Sequence, residues 1–363
     1  MIALILFCVI CAASFLVSIV IVKTKNLHIN ITGDNNTGPQ KIHSSKIPRI
    51  GGVAIYITLL LLLLFLTTNL FQYDYKPILF ENFRNLILIS LPAVIIGLIE
   101  DLFKDISIIL RLLVSIIVGI IAFYFYDVSI PSSNLNIIDQ YLSTSLFFLL
   151  TILFFAGSIN AINLIDGVNG LAGSISVVIL FTLSHLSLEK SDIQSYHFTF
   201  FLSANILGFL LLNWFTGKIF LGDSGAYLLG TILAFATCIV LHNNNLSFFN
   251  ILTLFCYPIW EITNSILRRL YNNQKIISAD NKHLHSFVYL IVSKKFNTLR
   301  PFVKNFLPTF LLLPLILIGP TISLLFYNKP YLLFFLFLTI YIFLSLVYCI
   351  LYIKAKAIVI ISN

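Results

Sequence analysis

Apolar residues run along this chain in unbroken stretches of about twenty, the length a helix needs to cross a bilayer, and the polar residues gather between them. Eleven such stretches can be read, over residues 2–22, 50–70, 84–100, 106–126, 144–164, 170–188, 196–216, 225–241, 247–267, 302–326 and 331–353. The short alternating segments of a membrane β-barrel are not seen. The pattern predicts an all-α, polytopic integral membrane protein of about eleven transmembrane helices. It reads as one membrane domain over 1–363, with no linker to a second, soluble domain. A secretory signal peptide carries its basic residues before the apolar run. Here the run begins at the first residue, and Lys23 and Lys25 follow it. The first stretch is therefore expected to stay as a helix with its N-terminus outside.

Composition agrees: 59% of residues are hydrophobic and 10% charged, against about half and a quarter in soluble domains. The net charge of +8 changes the picture through where it falls. Eighteen of the 22 Lys and Arg lie in loops after odd-numbered stretches, at Arg111 early in the fourth, or in the C-terminal tail. Basic loops stay in the cytoplasm, so these loops and the C-terminus are expected there, in a protein integral to the cell (inner) membrane. Charges scattered over many short loops do not make a nucleic-acid surface, and no nucleic-acid partner is expected. The five cysteines all sit inside apolar stretches and read as small buried hydrophobes, Cys8 and Cys11 included, because no second ligand pair accompanies them.

The unusual polar stretches all fall on the predicted cytoplasmic side, near 41–52, 97–111, 158–174, 213–226 and 268–304. In "SINAINLIDGVNGLAGS", Asn160, Asn163, Asp166 and Asn169 recur every three residues, so neighbours share roughly one helix face. A loose Gly-Val-Asn-Gly turn follows. Glu100 and Asp101 are either solvated interfacial charges or a carboxylate pair that holds a divalent cation or accepts a proton. In "GDSGA", Asp223 or Ser224 could cap the next helix. Alternatively the glycines let a phosphate approach a helix N-terminus, with Mg²⁺ at Asp223 relieving the repulsion. Lys46 and Arg49 are positive-inside anchors or phosphate ligands. His283 and His285 lack a third zinc ligand. Either they are solvated or, with Lys282, Arg268 and Arg269, they form a cationic lid for a diphosphate. Glu261, inside an apolar stretch, calls for a function or a buried partner such as a basic residue of a neighbouring helix.

Acid pair, Asn/Asp ladder, Gly-Asp-x-Gly and His-x-His occur in this order on one face. In this the chain resembles the polyprenyl-phosphate N-acetylhexosamine-1-phosphate transferase superfamily, glycosyltransferase family 4, over about residues 41–290. The resemblance implies transfer of N-acetylhexosamine-1-phosphate from a UDP-sugar to a polyprenyl phosphate, usually undecaprenyl phosphate, with release of UMP. That step starts lipid-linked cell-surface polysaccharides such as O-antigen. It further implies Mg²⁺, with Mn²⁺ as substitute, and partners limited to UDP-N-acetylhexosamine, the lipid and at most a second copy of the chain in a homodimer. Matched motif by motif, Glu100 and Asp101 stand at the family's Asp-Asp pair, tied to the metal and to activation of the prenyl phosphate. Asp223 stands at its magnesium ligand, so the implied metal set is Asp223 and Asp101, and the implied catalytic set is Glu100, Asp101 and Asp223. Asn160, Asn163 and Asp166 match the run that holds the nucleotide, with Asn213 and Lys218 close to it. His283 and His285 match the histidine motif of the diphosphate region. Ser107 and Arg111 fit a Ser-x-x-x-Arg element, and Lys46 and Arg49 lie in a loop ending Pro-Arg-x-Gly-Gly.

The chain departs from the pattern in Glu100 for the first Asp, Ala226 for a common Ser, and a short His-Leu-His-Ser motif. The last favours the hexosamine-phosphate branch over the alternative, phospho-N-acetylmuramoyl-pentapeptide transferase. A polytopic secondary transporter is the other alternative, but its ionisable groups should lie near the bilayer midplane.

Overall fold

Each predicted stretch becomes helix, because in hydrocarbon a chain must satisfy its backbone hydrogen bonds internally. The computed structural model describes residues 2–33, 46–68, 74–103, 106–141, 143–273, 282–295 and 301–362. In chain order the helices are α1 (Ile2–Lys23), α2 (Lys25–Thr32), α3 (Gly51–Thr67), α4 (Lys76–Phe103), α5 (Ile108–Tyr126), α6 (Asn136–Asp139), α7 (Thr144–Ile165), α8 (Leu171–Glu189), α9 (Ile193–Thr216), α10 (Gly222–Asn243), α11 (Phe249–Leu254), α12 (Cys256–Tyr271), α13 (Leu284–Lys295), α14 (Pro301–Phe326) and α15 (Pro330–Ser362). Among the described residues nine of these are long and apolar enough to span a membrane, and no strand occurs beyond an isolated Gly33–Pro48 bridge. The protein is an all-α integral membrane protein.

Three of the expected spans need correction. The stretch 84–100 begins eight residues earlier, at Lys76, and 331–353 continues to Ser362. The stretch 247–267 is broken at Phe255 into α11 and α12. Pro258 explains the break: it has no N–H to offer Leu254, and its ring crowds that carbonyl. The 17-residue α3 is shorter than a full span. Three helices, α2, α6 and α13, lie in stretches that showed no apolar run.

Helix α10 is the axis of the bundle, packed by α3, α4, α7, α8 and α9 and almost wholly buried along its length. Lipid-facing hydrophobics such as Leu16, Leu113, Leu153 and Phe335 belong to the outer helices. At the N-terminal end of α10 the backbones of α3 and α4 come into direct contact with it. A Cβ on Gly97 would stand 2.5 Å from Ser224 Cα, and one on Gly52 would overlap the Gly225 backbone. These two glycines bring three helix ends into one cluster, and the polar motifs converge there.

Candidate active site

The first turn of α10 is shaped from outside the helix. Its N-cap, Leu221, offers no side-chain acceptor, so neither Asp223 nor Ser224 caps it as the sequence allowed. The acceptor comes from α4. Asp101 Oδ1 accepts the Asp223 N–H at 2.8 Å, and Oδ2 accepts the Ser224 N–H at 3.0 Å and its hydroxyl at 2.7 Å. These amides are orphan donors of a helix start, and a carboxylate there is favoured by the helix dipole. The Asp101 side chain is fully buried. Gly222 adopts φ +77°, and a Cβ there would strike the Arg49 carbonyl and the Asp101 carboxylate, so the close approach requires glycine.

Residues 48–52 lie along the chain entering α10. Phe220 N–H donates to Pro48 O, Gly51 N–H to Phe220 O and Gly52 N–H to Leu221 O, each at 2.9 Å. This places the Arg49 guanidinium 3.1 Å from Asp223 Oδ2 and 4.0 Å from Asp101 Oδ1. Asn163, near the end of α7, donates to the other Asp223 oxygen at 2.8 Å. Asp223 is thus gripped by an amide and a guanidinium while its side chain stays 17% exposed.

Glu100 points elsewhere than Asp101. It pairs with Arg111 at 2.7 Å and accepts the Tyr227 hydroxyl at 3.0 Å. Sequence reasoning passed over Tyr227, although it lies one turn beyond Asp223, where i and i+4 share a face. The Asn/Asp ladder also divides. Asn160 donates to Ser115 of α5 and to Ala156 O, Asn163 faces Asp223, and α7 ends at Ile165, leaving Asp166 as its C-cap. Burial pushes the Asp166 carboxyl well above its ordinary pKa; Arg49 opposes this, while Asp223 and Asp101 add to it.

The turn that follows is braced, contrary to the loose turn read from Gly-Val-Asn-Gly. Gly170 takes φ +85°, its N–H donates to Asn213 Oδ1 at 2.9 Å, and a Cβ would overlap Trp214. Thr309 donates to Asn169 O at 2.8 Å. Asn213 also donates to Ile219 O at 2.8 Å, so both ends of its amide hold backbone and tie the 167–170 turn to the approach to α10. Lys46 and Lys218 are exposed.

The histidine motif joins the cluster through α13. His283 Nδ1 lies 3.4 Å from Glu261 Oε2, and His285 Nδ1 lies 3.9 Å from Glu261 Oε1. The buried partners of Glu261 are therefore these histidines. The other edge of His285 meets the ladder: a Cβ on Gly167 would overlap its Nε2. Burial pushes the His285 imidazole down to about 4, with Glu261 opposing and His283 adding. Arg268, from the same cationic segment, donates to Tyr348 at 2.9 Å.

The site gathers Asp101, Asp166 and Asp223 around one guanidinium. Among the described residues no group of three or more acidic, His or Cys side chains is arranged to hold a metal ion. Asp101, expected to hold the metal with Asp223, gives both oxygens to the start of α10. Mg²⁺ needs only one or two carboxylates beside water and substrate phosphates, and Asp223, with Asp166 in its field, is the carboxylate left to offer them.

The site's groups all sit at helix ends on one side of a membrane bundle, the arrangement of an enzyme acting at a membrane face. The model of glycosyl transferase family 4 matches residues 83–241 of the chain. It is 26% identical over 267 residues, covering 72% of this chain and 71% of the relative, to a Bacillus subtilis protein named "Probable undecaprenyl-phosphate N-acetylglucosaminyl 1-phosphate transferase". To the undecaprenyl-phosphate alpha-N-acetylglucosaminyl 1-phosphate transferase of Thermotoga maritima it is 29% identical over 247 residues, 68% of this chain and 69% of that one. A phospho-N-acetylmuramoyl-pentapeptide-transferase of Clostridium botulinum is 32% identical over a shorter 211 residues, 54% of this chain and 61% of the relative. The two longer matches favour the hexosamine-phosphate branch.

Proposed function

We propose that the protein transfers N-acetylhexosamine-1-phosphate from a UDP-sugar to a polyprenyl phosphate at the cytoplasmic face of the cell membrane. A phosphate oxygen of the lipid attacks the β-phosphorus of the UDP-sugar. The bond from that phosphorus to the bridging oxygen breaks, UMP leaves with the electron pair, and a polyprenyl-diphosphate sugar remains. The observation that carries the reading is the Asp223 cluster, built from four separate stretches of chain: Arg49 before α3, Asp101 in α4, Asn163 and Asp166 at the end of α7, and Asp223 itself in α10. Phosphoryl transfer is catalysed mainly by positioning and charge neutralisation, and this cluster supplies both.

Asp223 and Asp166 would hold Mg²⁺, which neutralises diphosphate charge when bound. Arg49 offsets negative charge beside Asp223, Asn163 fixes the rotamer of that carboxylate, and Asp101 fixes the helix that carries it. An apolar groove of about 280 Å³ supports a prenyl chain as the second substrate. Leu153, Phe154 and Ala161 of α7 and Phe255, Pro258 and Ile259 of the α11–α12 break line it. Its α7 wall ends at Ala161, between Asn160 and Asn163. The alternatives, a muramoyl-pentapeptide donor and a transporter, have less support: the long matches are to N-acetylglucosaminyl enzymes, and the ionisable cluster is at helix ends.

The test is a panel of UDP-sugars, including the muramoyl-pentapeptide donor, incubated with purified protein and undecaprenyl phosphate and followed by chromatography of UMP. UMP should appear with UDP-N-acetylhexosamine when both lipid and Mg²⁺ are present. Release without lipid, or from the pentapeptide donor alone, would overturn the assignment.

A further inference from the structure

Glu261 belongs to no motif that the function has used, yet its carboxylate is the most enclosed acid outside the Asp223 cluster, at 1% exposure. The Pro258 break frees α12 from the line of α11, and Glu261 follows one turn later on the same face as Tyr257. Its two oxygens are fully engaged. Oε1 accepts the Tyr257 hydroxyl at 3.1 Å and the Leu284 N–H at 3.2 Å, and Oε2 meets His283 Nδ1 at 3.4 Å. Among the described residues its ionic contacts are His283 and His285.

Those contacts make one carboxylate responsible for a whole local arrangement. The Leu284 amide opens α13, an orphan donor at a positively polarised helix start, so Glu261 caps that helix from another one. The two imidazoles stack with centroids 5.4 Å apart and planes 5° from parallel, both turning Nδ1 toward the carboxylate. His285 Nδ1 makes no hydrogen bond and lies 3.9 Å from Glu261 Oε1. Gly167 abuts the Nε2 edge and has no room for a Cβ. The ring is clamped between Glu261 and the turn that carries Asp166.

We propose that Glu261 is a positioning residue of the transfer reaction: it orders α13 and orients His283 and His285, presenting His285 to the Asp166–Gly167 turn beside the proposed diphosphate site. This rests on the function proposed above. A carboxylate behind an imidazole fixes the ring's tautomer and direction, and removing such a partner typically costs about 10–100-fold in activity.

Two measurements on Glu261→Gln test this. The first is kcat for UMP release. It should fall about 10–100-fold, with KM for the UDP-sugar within about threefold. In a His283→Ala/His285→Ala background the same substitution should change kcat by less than about twofold, because its route has been removed. An undiminished loss in that background, or no loss in the native one, would overturn the proposal.

The second needs no turnover: diethyl pyrocarbonate labelling of each histidine, read by peptide mass spectrometry. His283 and His285 should label at least ~10-fold faster in Glu261→Gln, with exposed His185 unchanged as the internal control. Equal protection in both proteins would overturn the proposal. If Glu261→Gln does not accumulate, Tyr257→Phe removes one donor to the carboxylate and should speed labelling about fivefold; no change would count against it. Faster labelling without UMP release in the native protein would instead locate the failure in the assigned substrates.

Discussion

Replacing Asp101 with Asn should loosen the first turn of α10. The Asp223 and Ser224 amides have no acceptor within their helix, and Asp101 provides the one each uses. Asn keeps the Oδ1 position but sets an NH₂ group against the Ser224 N–H, so at least one charge-assisted bond is lost and the others weaken. Hydrogen bonds to a charged group are worth about 1.5–3 kcal/mol, and the charge at the helix start adds up to about 2 kcal/mol in a buried setting. Taken together, a local cost of about 3 kcal/mol is expected, or roughly a 10²-fold faster exchange at these two amides. Hydrogen exchange resolved to single residues by mass spectrometry, in detergent, reads it directly. Ser224→Ala, which deletes only the 2.7 Å hydroxyl bond, should give a smaller increase. Activity should fall with the protection, because Asp223 rides on the same turn. Unchanged exchange in Asp101→Asn with activity abolished would refute the reasoning and assign Asp101 to the chemistry itself.

Glu100→Gln should lower thermal stability by stranding Arg111, and Glu100→Gln with Arg111→Gln should recover part of it, since an unpaired partly buried charge costs more than a missing pair; matched unfolding midpoints in detergent decide this. Gly167→Ala drives a methyl into the His285 ring and should cost at least ~10-fold in UMP release, measured at matched expression. Asp223→Asn should abolish turnover without loss of membrane insertion, and EDTA should silence the native protein until Mg²⁺ or Mn²⁺ is added; full activity in chelator would remove the metal from the account. In a protein freed of its five native cysteines, Lys218→Cys should react with membrane-impermeant reagents from the cytoplasm alone and Ser132→Cys from outside alone, and the reverse would invert the topology.

The helices were legible because a bilayer imposes one length and one polarity on each span, and the site's polar motifs were legible because they interrupt the apolar runs. Several features were not. The cap on α10 comes from Asp101, which is 122 residues away in sequence from Asp223, and no local pattern signals an acceptor supplied by another helix. The adjacent acids looked like one pair, yet successive helix residues point about 100° apart. One faces α10's backbone and the other faces Arg111. Glycines in the 167–170 turn read as looseness, although Asn213, Trp214 and Thr309 hold it from helices that the sequence could not bring near. The isolated acid at 261 was legible as an anomaly, and its partners became visible only when the start of α13 was seen to reach it.

The central claim is that the phosphorus bonded to the sugar leaves the nucleotide with it. UDP-N-acetylglucosamine labelled at the β-phosphorus, incubated with the protein, undecaprenyl phosphate and Mg²⁺, tests that claim most directly. The account predicts label in the extracted lipid as a diphosphate-linked sugar, with unlabelled UMP in the aqueous phase. Label remaining in the aqueous phase as UDP, with only the sugar moved to the lipid, would contradict it.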